Sequence, residues 1–254
     1  MVVATFRFYG ELNDFLARDR RGREIAAPCA RADTTKHMVE ALGVPHTEVE
    51  LVLLNGAPAG LDDLLADGDR VAVYPRFTGI DVAGVARVVT QPAGRLRFAA
   101  DAHLGGLARL LRMAGFDTIY RNDIDDDAIE ALALDDGRIA LTRDRELLKR
   151  RGVDFGCHVR ALRPDGQLRE VALRYGLAER ARPFTLCLHC NALLRAVAKD
   201  DVRERLPPAV RATQDDFRTC DACGRVYWRG THWQRMRALL AAALGASPVE
   251  SDDS

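Results

Sequence analysis

The chain has almost no lysine: of its 37 basic residues among 254, only Lys36, Lys149 and Lys199 are lysine. That skew reflects genome composition more than chemistry and carries little functional weight. Long apolar runs are also missing, and none approaches the roughly 20 residues a membrane-crossing helix needs. The opening stretch MVVATFRFYGELNDFL lacks a basic start followed by an apolar segment and a small-residue cleavage site, so a signal peptide is not expected. These absences predict a cytoplasmic protein with no membrane partner. There is no internal repeat. Six cysteines could suggest disulfides, but the chain is not small and nothing points to export, and four of them stand in two CxxC pairs, which read first as metal ligands.

Net charge is also missing, since 37 basic and 37 acidic residues cancel. The cancellation hides an asymmetry. Residues 1–83 hold 9 basic and 13 acidic side chains, residues 84–150 hold 11 of each, and residues 151–245 hold 17 and 10. A basic final third beside an aspartate-rich middle suits an enzyme of nucleic acids, although solvating arginines alone would look similar.

The patterning divides the chain. VVATFRF alternates like a strand, residues 10–18 continue into a helix or turn, and TTKHMVEALG reads as a helix capped by Asp33 or Thr34 and stopped by Gly43. EVELVLLNG is a strand ending in an Asn-Gly turn, and DRVAVYP is a further strand. An α+β unit over residues 1–82 follows. Residues 77–94 carry the glycines and proline of a linker. From residue 95 strands and helices alternate: RLRFAAD, LGGLARLLRMAG, DTIYRN, DDDAIEALALDDG, RIALTRD and the short helix RELLKRRG, with strand and helix segments again in 160–180. Such alternation implies α/β architecture with a parallel sheet and flanking helices over 95–180. A metal-stabilised module spans 184–240, and the polar tail 246–254 is expected to be disordered.

Three aspartates hold comparable positions. Asp101 ends one strand, Asp144 ends another, and Asp126 heads the helix after DTIYRN. Ligands of open parallel sheets gather beyond the carboxyl ends of the strands. Carboxylates converging there need a hard divalent cation such as Mg²⁺ or Mn²⁺. Helix capping competes with this role at each position.

Cys187-Leu-His-Cys190 and Cys220-Asp-Ala-Cys223 form two thiolate pairs 29 residues apart, a set that closes a structural zinc site. His189 and His232 are not needed as ligands, and Cys29 and Cys157 read as ordinary buried cysteines. CGRVYWRGTHWQRMR interleaves Tyr227, Trp228 and Trp233 with Arg225, Arg229, Arg235 and Arg237. Such a stretch either stacks bases and neutralises phosphates or packs a small ribbon core.

The stretch RFAADAHLGGLARLLRMAGFDTIYRNDIDDDAIEALALDDGRIALTRDRELLKRR resembles the PIN-like RNase domain named for the C-terminus of the Mut-seven exonuclease, Mut7-C. The resemblance continues through the paired cysteines to YWRGTHW, so that it covers residues 95–237. RFYGELNDFL, GVPHTEVELVLLNG and GDRVAVYPRF resemble the ubiquitin-like β-grasp domain fused ahead of it in that family. The resemblance implies a metal-dependent ribonuclease with Asp101 and Asp144 as catalytic metal ligands and Asp126 as the third. Asp123 and Asp127 are substitutes for Asp126, and Glu146 an outer-shell group. Arg121, Arg143 and Lys149, with Arg145 and Arg150 close by, would position phosphates of single-stranded or structured RNA, as Trp228 and Arg229 would from the ribbon. His103 would hold a phosphate or pack the helix start. YPRFTGID offers no diglycine, so the first unit is expected to bind a protein partner or act as a scaffold, and not to carry sulfur. His46 belongs to a loop contact in this reading. A non-catalytic RNA-binding adaptor for ribosomal or transfer RNA is the alternative.

Overall fold

A computed structural model describes residues 1–76, 92 and 94–245. The expected linker lies almost wholly outside that set, and so does the C-terminal tail. The first element, β1 (Val2–Phe8), is followed by a 3-10 turn over Gly10–Phe15, where the sequence left helix or turn open. Then come β2 (Ile25–Cys29), α1 (Thr35–Ala41), β3 (Val49–Leu54), β4 (Ala57–Ala59) and β5 (Arg70–Pro75). The strands order as β2-β1-β5-β3-β4, with β1 and β5 parallel at the centre. This is the mixed sheet of a β-grasp unit. Thr34 caps α1 by accepting from the His37 amide at 3.2 Å. Asn55 and Gly56, at φ 52° and 86°, form the tight turn that joins β3 to β4. Phe6, Phe8, Leu12, Val39, Val52 and Val73 fill the core between α1 and the sheet.

Beyond residue 95 the chain forms β6 (Phe98–Ala100), α2 (Gly105–Met113), β7 (Thr118–Ile119), α3 (Asp126–Asp136), β8 (Ile139–Thr142), β9 (Gly156–His158) and α4 (Pro164–Tyr175). β6 pairs in parallel with β7, and β8 with β9. The expected α/β alternation with parallel strands is therefore present. Three details differ. DTIYRN contributes only two strand residues, RELLKRRG makes a single 3-10 turn at Leu147–Lys149 and not an α-helix, and the strand expected in 160–180 lies earlier, at Gly156–His158. Gly115 ends the turn after α2 at φ 89°, where an added Cβ would collide with the Arg182 carbonyl.

The last part holds β10 (Leu194–Val197), α5 (Lys199–Val202), α6 (Pro208–Thr213), β11 (Phe217–Cys220), β12 (Val226–Trp228) and α7 (Thr231–Leu244). Strands β10-β11-β12 form a small antiparallel sheet. Among the described residues no helix is long and apolar enough to cross a membrane.

The chain groups into two compact bodies. One is Met1–Arg95 with Asp126–His158; the other is Leu96–Asp125 with Val159 onward. In the first, the segment carrying α3, β8 and β9 packs onto the β-grasp unit. In the second, α2 and α4 cover Phe98, whose ring meets Phe116 and Tyr175 edge-on at 6.1 and 5.9 Å. α7 packs on α4 in that body.

Candidate functional site

In the second body, Asp101 follows β6 directly and occupies the N-cap position of a 3-10 turn over Ala102–Leu104. Its carbonyl accepts from the Leu104 amide at 2.8 Å, yet its side chain makes no capping bond. The competing capping role for this carboxylate is absent. His103, in the same turn, is exposed.

In the first body, Asp144 lies two residues beyond β8 and is exposed. Its amide donates to Thr142 Oγ1 at 2.9 Å, and its Oδ1 accepts from the Glu146 amide at 2.8 Å. One carboxylate oxygen thus shapes the loop. Among the described residues, Oδ2 accepts no hydrogen bond. Asp126 opens α3, where Arg150 Nη2 stands 3.5 Å from its Oδ2. The same guanidinium bonds Asp127 Oδ1 and reaches Glu130 Oε2 at 3.2 Å. Arg150 therefore gathers three acids, and the Asp127 bond is the main cause of its raised pKa.

The expected phosphate-positioning residues differ in their surroundings. Lys149 Nζ is held by Glu146 Oε1 at 2.9 Å, and Arg121 lies 3.9 Å from Asp123. Arg143 is exposed, and its carbonyl takes a hydrogen bond from His158 Nε2 at 3.1 Å. Arg145 Nη1 donates to the Phe15 carbonyl at 3.1 Å. The His158 amide donates to Glu48 Oε1 at 2.8 Å, and the imidazole stands edge-on to the Phe15 ring at 5.2 Å. The loop bearing Asp144 is thereby tied to the β-grasp unit. His46, placed by sequence in a loop contact, bonds Glu40 Oε1 through Nδ1 at 2.6 Å.

The four paired cysteines converge in the second body, with Sγ atoms all within 4.8 Å of one another. Cys187 and Cys223 are 3.6 Å apart, Cys190 and Cys220 3.4 Å. Sulfurs at about 2.3 Å from a tetrahedral zinc ion stand about 3.8 Å apart, so the donor set fits structural zinc. Burial alone would raise the Cys187 thiol, but bonds from the Tyr227 hydroxyl and the Cys190 and His189 amides bring it down to about 6. Burial and the neighbouring sulfurs push Cys190 up to about 12. Protons shared among crowded thiols are what a thiophilic cation displaces. Cys29 and Cys157 are buried apart from this cluster, as expected.

Arg112 locks the cluster to α2. It is 5% exposed, and its Nε donates to the Thr118 carbonyl at 2.9 Å while Nη1 reaches the carbonyls of Leu188 at 3.3 Å and His189 at 2.7 Å. Burial lowers its pKa, and the facing Cys187 and Cys190 oppose that shift. Asn191 adds a second tie, accepting from the Thr118 amide and donating to Asp117. Sequence reading missed both residues, since an arginine inside an amphipathic helix looks like surface. Trp228 packs against the ribbon core of Val202, Leu206 and Phe217. Arg229 pairs with Asp216 at 3.2 Å and lies over the Trp233 ring.

Comparison with known proteins agrees with this architecture. Residues 96–240 match the family described as the Mut7-C RNAse domain, and residues 1–81 match the Mut7-C ubiquitin domain. No curated protein matches the chain. The crystal structure of small archaeal modifier protein 1 from Haloferax volcanii aligns at 18% identity over 30% of this chain and 100% of its own, with a TM-score of 0.25. A second crystal structure, of SAMP1 from Haloferax volcanii, aligns at 20% identity over 30% of this chain and 98% of its own, also at 0.25.

Proposed function

Because the chain belongs to the Mut7-C RNAse domain family, we propose that it is a metal-dependent ribonuclease that hydrolyses RNA phosphodiester bonds with Asp101, Asp126 and Asp144. The observation that carries this is the family match, together with the position of Asp101 at the end of a parallel strand. Asp144 follows a second parallel strand, with one carboxylate oxygen that accepts no hydrogen bond among the described residues, and Asp126 heads the intervening helix. All three residues are hard oxygen donors, which suits Mg²⁺ or Mn²⁺. When bound, such an ion lowers the pKa of its water and stabilises charge developing on the phosphate. Asp101 and Asp144 supply the negative field that retains it. Asp126 shares its carboxylate with Arg150, which holds it toward the head of α3. Arg143, exposed beside Asp144, would orient a non-bridging phosphate oxygen, with Arg121, Lys149, Trp228 and Arg229 contacting the strand farther away. The cysteines hold a structural zinc, since four thiolates leave no open coordination position. The β-grasp unit, tied to the Asp144 loop through Glu48 and Phe15, acts as a scaffold and a surface for a protein partner.

The test is cleavage of labelled single-stranded RNA by the purified, zinc-loaded chain with added Mn²⁺. Asp101→Asn and Asp144→Asn should each slow cleavage by at least about 100-fold while RNA binding and zinc content persist. Cleavage unchanged in both variants would overturn the assignment. Binding without any cleavage by the parent chain would favour the RNA-binding adaptor.

A further inference from the structure

A cavity of about 380 Å³ in the second body lies apart from the candidate catalytic aspartates, which do not line it. Its walls include Gly105, Arg109 and Arg112 from α2, Tyr120 after β7, and Arg225 and Tyr227 from the ribbon. Three arginines therefore line one space. Arg112 is almost fully buried, and its Nε and Nη1 are engaged by backbone carbonyls. Among the described residues its Nη2 makes no hydrogen bond. Arg109 and Arg225 are exposed and, among the described residues, have no carboxylate partner. Other arginines of this body differ, since Arg195 is held by Asp221 and Arg229 by Asp216.

The Asp117 carboxylate and the cysteines act on Arg112, whereas Arg109 and Arg225, with no carboxylate partner among the described residues, would be neutralised by an anion entering the cavity. The volume falls in the range of small-ligand pockets, about 300–1,000 Å³, and is roomier than a lone phosphate requires. Two tyrosines in the wall offer surfaces for a base. Position adds a direction: the Tyr120 hydroxyl lies 3.1 Å from the carbonyl of Ala102, the residue after Asp101.

We propose that this cavity, formed between α2 and the zinc ribbon, holds one nucleotide of a single-stranded RNA, with its phosphate on Arg109, Arg112 and Arg225 and its base against Tyr120 and Tyr227. The assignment rests on the ribonuclease reading and deepens it: the ribbon and α2 together anchor the strand next to Asp101.

The test measures binding of a fluorescein-labelled single-stranded RNA of about 15 nucleotides, a length within the usual site sizes, to the full zinc-loaded chain without Mg²⁺ or Mn²⁺. Arg109→Ala/Arg225→Ala should raise Kd about 10-fold or more and reduce the slope of log K against log salt by about 0.7, the release expected for one phosphate contact on a single strand. Arg195→Ala/Arg203→Ala removes the same charge from exposed positions of the ribbon outside the cavity and should change Kd less than about twofold. Thermal unfolding and zinc content, unchanged in both, show that the fold persists. Equal weakening by the two double variants, or none by the first, would overturn the cavity assignment alone if the parent chain still cleaves RNA and Asp101→Asn still stops it. A parent chain that neither binds nor cleaves RNA would overturn the ribonuclease reading as well.

Discussion

Glu48 Oε1 accepts the backbone amide of His158 at 2.8 Å, so the end of β9 is completed by a side chain of the β-grasp unit. Glu48 is 2% exposed. His158 in turn bonds the Arg143 carbonyl next to Asp144. The N-terminal unit is thus part of the support for an acid assigned to the metal, and not a tethered appendage.

Glu48→Ala leaves a half-buried amide without its acceptor, which costs about 1–3 kcal/mol. Thermal unfolding should show a midpoint lower by about 3–10 °C. Glu48→Gln keeps an acceptor and should lose less than about 1 kcal/mol. An alanine variant as stable as the parent would show that the tie has no energetic weight.

Gly115 and Gly56 both have positive φ, but their surroundings differ. A Cβ at Gly115 meets the Arg182 carbonyl, whereas at Gly56 nothing lies within 4 Å. Gly115→Ala is expected to cost at least about 3 kcal/mol through collision and strain together, and Gly56→Ala about 1 kcal/mol through strain alone. Chemical denaturation compares them, and equal losses would contradict the crowded geometry.

Removing one sulfur should empty the ribbon. The parent chain is expected to bind about one zinc ion, and Cys190→Ser or Cys220→Ser close to none, measured by metal analysis after gel filtration. Cys29→Ser and Cys157→Ser should retain the ion, since these thiols lie outside the cluster. Zinc retained in Cys220→Ser would contradict a four-thiolate site.

Arg112→Lys removes the fork that serves Thr118, Leu188 and His189 at once. Lysine keeps the charge but reaches fewer of these carbonyls, and a loss of about 2–4 kcal/mol should follow. Hydrogen exchange of residues 187–191 should accelerate while β1 and β5 stay protected. Uniform exchange in the variant and the parent would deny Arg112 its role in joining the ribbon to α2.

What could be read from the chain beforehand was whatever local chemistry dictates. The Asn55-Gly56 turn, the Thr34 cap, the Gly115 stop and the two CxxC pairs each need particular residue types, and each stands where expected. The central β1/β5 parallel pair and the two-residue β7 were not legible, because short parallel strands are defined by distant partners and not by alternation. At Leu147–Lys149 a helical pattern yielded a single 3-10 turn because Arg150 and Gly152 are drawn toward the acids of α3. The order of the candidate acids was visible, but the engagement of Asp126 by Arg150 and of Lys149 by Glu146 was not, since each depends on a tertiary encounter.

The most direct test of the central claim is anomalous diffraction from crystals of the zinc-loaded chain soaked in Mn²⁺. The account predicts one manganese peak with carboxylate oxygens of Asp101 and Asp144 at about 2.2 Å, near the range of hard divalent ions, separate from the zinc peak at the cysteines. Manganese bound elsewhere, or these two aspartates binding no common ion, would contradict it.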